Sequence, residues 1–326
     1  MRSRFGETAS ATAPVSMIIK VLGSAAGGGF PQWNCNGAQS AKVRSGAAGY
    51  KARLQSSLAV SSDGKSWALL NASPDIRQQI NETPELHPDA AGAKRNSPIK
   101  AVVVTNADVD HIVGLIGLRE GQPFSIYGSD LVLATLKANS VFNVCNPEIV
   151  PRIELPFDEP TELHGAGLDL GLTVEAFPVS GKIALFLEKG GADANYGSRD
   201  GDTIGLKVTD RKTGKAFFYI PGCAEVDAPL ADRIRDAELV FFDGTLYVDD
   251  EMIVQGLLNK TGKRMGHISV SGHEGSIAAL SHLKVQRKIY VHINNSNPIL
   301  DENSEARKAV ETAGWEVGFD GMEVRL

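Results

Sequence analysis

The chain has 326 residues, of which 42% are hydrophobic and 22% are charged, the composition of an ordinary globular protein. Its apolar runs, such as "AVVVT" and "ELVFF", are strand-sized and fall far short of the roughly 18 residues of a membrane span. A net charge of -6 without a Lys/Arg cluster argues against a nucleic-acid partner. Three widely spaced cysteines fit a reducing compartment and predict no disulfide framework. We therefore expect a cytoplasmic protein that acts on a small molecule.

Residues 1–16 are polar and rich in Ala, Ser and Thr, without an apolar core or an evident cleavage site. This composition predicts a disordered extension rather than a signal peptide. A single domain over residues 17–326 is expected to follow.

The first half of that domain is predicted to begin with strands at 17–23 and around "SSLAVSSDG", separated by a glycine-rich loop that reaches about Ser40. The stretch "SWALLNASPDIRQQI" predicts a strand that runs into a helix, with Ser73 as the N-cap and Pro74 at the first helical position. A second junction of this kind lies in "VVVTNADVDHIVGL", where Asp108, Asp110 and His111 fall in the break.

The second half is predicted to contain strands at "LTVEAFPVS", "TIGLKVTD", "KAFFYIPG" and "ELVFFDG". A helix is expected in "SVSGHEGSIAALSHL", where Ser271 and Glu274 have capping-box spacing. The strand "RKIYVHINNSNP", the helix "SEARKAVETAG" and a terminal hairpin, "WEVGFDGMEVRL", complete the chain. No repeat or long linker divides it, so we predict one α/β domain with two packed sheets.

Residues of metal-ligand type stand at the ends of these strands. Asp110 and His111 form a pair, Asp243 ends the "ELVFF" run, and His292 is predicted to alternate with aliphatic residues along its strand. Each has a simpler interpretation alone: a helix cap for Asp108 or Asp110, a turn with Gly244 for Asp243, and a hydrogen-bonded strand histidine for His292. Taken together, they have the ligand types of a divalent metal site.

Several motifs resemble a known family. "DVDHIVGL" resembles the second half of the HxHxDH signature of the metallo-β-lactamase superfamily, in which the first two histidines serve one metal and the Asp-His pair serves another. Here the first two histidine positions are Asn106 and Asp108. Across residues 17–326, the longer motifs are similar to the pyrroloquinoline quinone (PQQ) biosynthesis protein B family: "VLGSAAGGGFPQWNCN", "NASPDIR", "GLREG", "FFDGTLYVDDEM", "MGH" and "HINNSNPILDENS".

The resemblance implies an αββα sandwich with one metal site, whose retained ligands are Asp110, His111, Asp243 and His292. The two lost histidines speak against the paired zinc ions of the superfamily's hydrolases. Two histidines with carboxylates instead resemble the ligands of non-haem Fe(II) oxygenases. The family is similarly described as Fe(II)- and O2-dependent hydroxylases of the tyrosine ring in a cross-linked Glu-Tyr precursor, with Zn(II) as an alternative occupant in isolated protein.

Within this hypothesis, His111, His292 and either Asp110 or Asp243 ligate Fe(II). The remaining carboxylate completes the shell or takes a proton, a role that Asp108 could also serve.

Arg77 and Arg119 are candidates for a clamp on substrate carboxylates, although each could equally be a surface arginine. His267 and His273 lie in a loop that could approach the site. His267 is a weaker candidate for substrate contact from behind the ligands, whereas His273 also fits the first turn of a helix without a function.

Two other functions stay open. A non-catalytic carrier of PQQ or its precursor would bind the quinone tightly without turnover, and a zinc-dependent hydrolase would follow the superfamily by analogy. Other proteins of the same pathway are expected partners. Relatives commonly carry Cys-x-Cys-x-x-Cys where this chain has Cys35, Gly37 and Ser40, so we predict no structural zinc in that loop.

Overall fold

The computed structural model describes residues 16–188 and 199–326, so the predicted disordered extension lies almost wholly outside the described residues. Its strands, in chain order, are β1 (Ile18–Gly23), β2 (Ser57–Ser61), β3 (Trp67–Leu70), β4 (Ile99–Val103), β5 (Ser125–Gly128), β6 (Arg152–Glu154), β7 (Pro160–Gly165), β8 (Leu168–Pro178), β9 (Ile204–Asp210), β10 (Ala216–Ile220), β11 (Leu239–Asp243), β12 (Arg287–Val291), β13 (Glu316–Val317) and β14 (Glu323–Arg325). Its helices are α1 (Ala38–Arg44), α2 (Ile76–Glu82), α3 (Val109–Ile112), α4 (Gly114–Gly117), α5 (Asp130–Ala138), α6 (Ala228–Ile234), α7 (Glu251–Val254), α8 (Ser276–Leu280) and α9 (Glu305–Thr312).

The strands form two sheets. One has the order β14-β1-β2-β3-β4-β5-β6 and the other the order β13-β12-β11-β10-β9-β8-β7. Alternation along the strands gives each sheet an apolar inner face, and Ile19 and Val21 of β1 share one buried cluster with Leu172 and Val174 of β8. Each side chain of this size contributes about 1.5–3 kcal/mol when it is buried. The inner layer therefore holds the sheets together face to face.

Helices cover both outer faces. Ile76 of α2 and Leu136 of α5 pack with Trp67 on the outside of the first sheet. Leu230 of α6 and Val310 of α9 belong to the corresponding cluster on the second sheet. These four layers confirm the predicted αββα sandwich.

The sheets bring their strand ends to a common edge. In the second sheet, β10, β11, β12 and β13 run parallel, and Asp243 is in register with Val291. The end of β4 meets the start of β9, because the Ile204 N–H donates to the Thr105 carbonyl at 2.9 Å and Asn106 bridges Thr203. Loops after β4, β11 and β12 therefore converge, although they belong to different sheets.

Two predicted helix starts are wrong. Helix α2 begins at Ile76 with Asp75 at its N-cap position, because the Ser73 hydroxyl accepts the Asp75 N–H in a preceding turn. Helix α8 begins at Ser276, and the Ser271 hydroxyl donates to the Tyr247 carbonyl instead of capping it.

The predicted terminal hairpin is also wrong. β13 extends the second sheet beside β12, whereas β14 pairs antiparallel with β1 in the first sheet. Trp315, just before β13, stacks on Tyr290 with ring centroids 4.0 Å apart. This packing anchors β13 to the second sheet, so the two short strands separate and close the edges of different sheets.

Candidate metal centre

Four segments of the chain place five ligand-type side chains together. Asp110 and His111 lie in the first turn of α3, Asp243 is the last residue of β11, and His292 follows β12 directly. His267 comes from the segment between α7 and α8. These side chains form two groups that share His292. The first group is Asp110, His111 and His292, and the second is Asp243, His267 and His292. Within each group, the donor atoms all lie within 4.8 Å of one another.

The first group converges on a point beside Asp110. Its Oδ2 lies 3.1 Å from His292 Nε2 and 3.8 Å from His111 Nε2. The His111 ring is buried, and its Nε2 has no hydrogen-bond partner among the described residues. An unpaired buried polar atom is costly and calls for a partner.

The second group is already extensively hydrogen-bonded. Asp243 Oδ2 accepts the Cys223 N–H at 2.9 Å and lies 2.7 Å from His267 Nδ1. Its Oδ1 accepts the Thr245 N–H at 3.0 Å and the Thr245 hydroxyl at 2.6 Å. The His267 and His292 rings stack with centroids 5.1 Å apart. Asp243 thus orients the His267 ring directly. Through Thr245 it also fixes the loop after β11, which lies behind His292.

A divalent cation fits the first group. One carboxylate oxygen and two imidazole nitrogens face a shared space, and these are ligands that zinc and ferrous iron both accept. Burial lowers the pKa of His111 to about 4, so its ring is neutral near pH 7 and able to offer a lone pair. Burial acts to raise the pKa of Asp110, but the neighbouring His111 and His292 outweigh burial and hold that pKa below its ordinary value. The carboxylate is therefore ionised.

His292 departs from the predicted strand geometry. The strand ends at Val291, and His292 has φ of 55°, a left-handed conformation that costs a non-glycine residue roughly 1–3 kcal/mol. The Thr245 hydroxyl contacts its carbonyl oxygen at 3.0 Å, and the next residue, Ile293, donates its N–H to Ser24. The turn directs the imidazole across the sheet edge toward Asp110.

Asp108 has a different environment. It occupies the N-cap position of α3, yet its side chain makes no capping hydrogen bond. Its oxygens lie 2.8 and 3.1 Å from Lys182 Nζ, and Oδ1 also accepts the Leu185 N–H at 3.1 Å. The alternative of a side-chain cap for Asp108 is therefore wrong. The sequence does not indicate Lys182, because a single lysine after a strand carries no signal.

The two candidate arginines, Arg77 and Arg119, make no contact with the five ligand-type side chains among the described residues. Arg119 is 56% exposed in its side chain, bonds to the Ile116 carbonyl and lies 3.8 Å from Glu120. Arg77 is exposed and makes no hydrogen bond or ion pair within residues 16–188 and 199–326. Their contact with substrate stays a prediction.

Cys35, Cys145 and Cys223 are free thiols. Cys35 Sγ accepts the Gly37 N–H at 3.3 Å. The absence of zinc from the Cys35 loop stays a prediction, and an unchanged zinc content in Cys35→Ser would support it.

A cavity of about 520 Å³ opens beside His267. Its lining includes Glu225, Asp249 and Lys263, so it carries both signs of charge. This volume falls in the range of roughly 300–1,000 Å³ that small-molecule sites occupy. No helix in the part of the chain that the structure describes is long and apolar enough to cross a bilayer.

The stacked sheets and the carboxylate-imidazole cluster at their edge define a protein of the metallo-β-lactamase class. In agreement, the family model described as a beta-lactamase superfamily domain matches residues 66–293. More specifically, the chain belongs to the coenzyme PQQ synthesis protein B family.

Two curated relatives and one solved structure support this assignment. The coenzyme PQQ synthesis protein B of Bradyrhizobium diazoefficiens is 49% identical over 94% of this chain and 99% of its own length. That of Gluconobacter oxydans is 50% identical over 94% of this chain and 98% of its own length. The crystal structure of Zn(2+)-bound PqqB from Methylobacterium extorquens is 46% identical, with a TM-score of 0.89, and covers 95% of this chain and 100% of that one. The resemblance inferred from the motifs is confirmed.

Proposed function

We propose that this protein acts in PQQ synthesis as an Fe(II)-dependent hydroxylase of the tyrosine ring in a cross-linked Glu-Tyr precursor. The observation that carries the proposal is the convergence of Asp110 Oδ2, His111 Nε2 and His292 Nε2 at the sheet edge. Two histidines and one carboxylate are the ligand set of non-haem Fe(II) oxygenases. Membership of the coenzyme PQQ synthesis protein B family supports a role in the PQQ pathway.

In this proposal, Asp110, His111 and His292 hold the metal. Asp110 is chosen over Asp243 because Asp243 already accepts four hydrogen bonds from Cys223, His267 and Thr245. The remaining carboxylate therefore acts through the histidine that it orients. The bound iron supplies the activation of O2.

His267 is placed to move a proton. Its Nδ1 is committed to Asp243 at 2.7 Å, and its side chain is 15% exposed and lines the cavity of about 520 Å³. An imidazole that donates Nδ1–H to a carboxylate presents Nε2 as the atom that can accept a proton, and a phenol oxygen is a suitable donor. We therefore assign the Asp243-His267 pair to accepting the phenol proton, and we assign the cavity to the substrate.

The charges in that cavity match an amino-acid substrate. Lys263 is exposed there and forms no ion pair with another described residue, so it can receive a carboxylate, while Glu225 and Asp249 can receive ammonium groups. Lys263→Met should raise the KM several-fold with little change in kcat. Lys94→Met, a change at an exposed lysine that does not line this cavity, is its control.

The ion pair between Asp108 and Lys182 favours a single metal. Asp108 stands where the superfamily supplies a ligand to its other metal, and here an ammonium group compensates its charge at 2.8 Å. A shared hydroxide between two zinc ions, as in the hydrolases, lacks its ligands.

The test is anaerobic reconstitution with Fe(II) or Zn(II), followed by O2 labelled with oxygen-18, a reductant and the cross-linked Glu-Tyr diamino acid. Each hydroxylation inserts one oxygen atom and needs two electrons and two protons to reduce the other to water. We expect labelled product with Fe(II) alone and none with His292→Ala. Tight binding of PQQ without any mass change would overturn the hydroxylase in favour of a carrier, and zinc-dependent hydrolysis would favour the hydrolase.

A further inference from the structure

A buried threonine hydroxyl lies behind each of the two proposed histidine ligands. Thr105 Oγ1 is 3.3 Å from His111 Nδ1, and Thr245 Oγ1 is 2.8 Å from His292 Nδ1. Both threonines are almost fully buried and stand two residues beyond the ends of β4 and β11. The loops after β4 and β11, which belong to different sheets, thus place a threonine hydroxyl against Nδ1 of a histidine in the same way.

The Thr105 hydroxyl donates its proton to Asn71 and not to His111. The Thr105 backbone N–H points at the Asn71 side chain at 2.9 Å, and an N–H can only donate, so the Asn71 atom facing it is the amide oxygen. The same oxygen lies 3.1 Å from Thr105 Oγ1 and accepts its hydroxyl proton. Thr105 Oγ1 is left as an acceptor, and His111 must donate to it through Nδ1–H. The unpaired Nε2 then carries a bare lone pair.

Thr245 repeats the arrangement with a carboxylate in place of the amide. Asp243 Oδ1 can only accept and lies 2.6 Å from Thr245 Oγ1, the shortest contact of that hydroxyl. The Thr245 proton therefore belongs to Asp243, and the threonine oxygen accepts Nδ1–H of His292. His267 Nδ1 donates to the other oxygen of the same carboxylate at 2.7 Å.

We infer that Thr105 and Thr245 are positioning residues that hold the Nδ1–H of His111 and His292 and so turn both Nε2 atoms toward the metal. Among the described residues, Nε2 of His111 is unpartnered, whereas Nε2 of His292 meets Asp110 Oδ2 at 3.1 Å and gives up its proton when metal binds. The inference rests on the proposed metal centre but not on the oxygen chemistry. Without the hydroxyl, Nδ1 loses its acceptor, and the proton is free to move to Nε2, the atom that would bind metal. At His292 such a proton would be held by Asp110 Oδ2, which already lies 3.1 Å from Nε2.

The test combines zinc affinity with nitrogen-15 NMR of the histidines, which distinguishes Nδ1–H from Nε2–H. Thr105→Val and Thr245→Val keep the shape and remove the oxygen. Each should raise the zinc dissociation constant roughly 10- to 100-fold, as lost outer-shell partners do, with the larger effect at Thr245 because its contact is shorter. The serine variants should return within about fivefold of the wild type, because they keep the hydroxyl.

Thr135→Val is the matched control, since among the described residues the Thr135 hydroxyl bonds only to the Leu131 carbonyl in α5. In the metal-free wild type, His111 should be the Nδ1–H tautomer, and in Thr105→Val it should shift toward Nε2–H. An Nε2–H tautomer of His111 in the metal-free wild type, or valine variants with wild-type zinc affinity, would overturn the inference. If one valine variant fails to fold, the other variant and the wild-type spectrum still decide. If the zinc affinities and the His111 tautomer are as expected but no hydroxylation occurs, only the proposed reaction is refuted.

Discussion

Asp108 and Asp110 stand two residues apart and have opposite surroundings. Asp110 faces two imidazoles, with His292 Nε2 at 3.1 Å, whereas Asp108 faces the Lys182 ammonium at 2.8 Å and the Leu185 N–H. Residues at this spacing point to different sides of the chain, so one turn supplies both. In this pair, the carboxylate without an ammonium partner is the one left open to an added cation.

The largest expected effect is at His111, on the metal-binding side of this comparison. His111→Ala removes the buried nitrogen that has no partner among the described residues. We expect metal affinity to fall roughly 100-fold or more, beyond the usual effect of an outer-shell change. Titration with Zn(II) measures it, and His282→Ala, at an exposed position, is the control. Wild-type affinity in His111→Ala would remove this residue from the ligand set.

The two aspartates themselves form a matched pair of variants. Asp110→Asn should lower Fe(II) affinity by about 100-fold, since an amide is a poor substitute for an ionised ligand. Asp108→Asn should keep metal content at one equivalent per chain, because its carboxylate serves Lys182. Metal analysis after gel filtration measures the metal content of both variants. Loss of metal from Asp108→Asn alone would reverse the two assignments.

Asp320 sharpens the comparison as a buried carboxylate that faces N–H and O–H donors. It accepts from Ser24 and from the Leu54 N–H, and burial raises its pKa to about 6. Since this pKa lies above the unfolded value, the stabilisation from its proton is complete below about pH 4 and is lost as pH rises through 6. Relative to the wild type, Asp320→Asn should gain about 2–3 kcal/mol in the free energy of unfolding between pH 4 and 7. Urea denaturation at both pH values checks this, and a constant difference would refute it.

The smallest effect is expected at Lys182. Lys182→Met leaves Asp108 without its ammonium partner, and for a pair that is about one-fifth exposed the loss should be about 1 kcal/mol of unfolding free energy. Metal content should stay at one equivalent. A second bound equivalent in this variant would show that Lys182 had kept a second cation out.

The sequence predicts much of the site because the ligand-type residues follow strands in motifs that the family shares. Asp110, His111, Asp243 and His292 were all identified in this way, and the structure brings them together at one edge. Their roles as ligands stay predictions.

The remaining site features depend on contacts between distant segments. Lys182 reaches Asp108 across 74 positions, and no local pattern announces that pair. From the sequence His267 is only a weaker candidate, yet its ring stacks on the His292 ring with centroids 5.1 Å apart. Thr105 and Thr245 read as ordinary strand-end residues, and only the hydrogen bonds to Asn71 and Asp243 give them a role.

The terminal segment shows the same limit in the fold. Two short strands separated by "GFDGM" have the local pattern of a hairpin, but each finds a better partner at the open edge of a different sheet. Edge pairing is decided by tertiary structure, which a local pattern does not contain.

Anomalous diffraction at the iron edge from anaerobic crystals of the Fe(II)-loaded protein would test the central claim most directly. We expect one peak per chain, about 2.1 Å from Asp110 Oδ2, His111 Nε2 and His292 Nε2, with Lys182 still on Asp108. A peak coordinated by Asp108, or a second peak beside it, would contradict the single-metal centre.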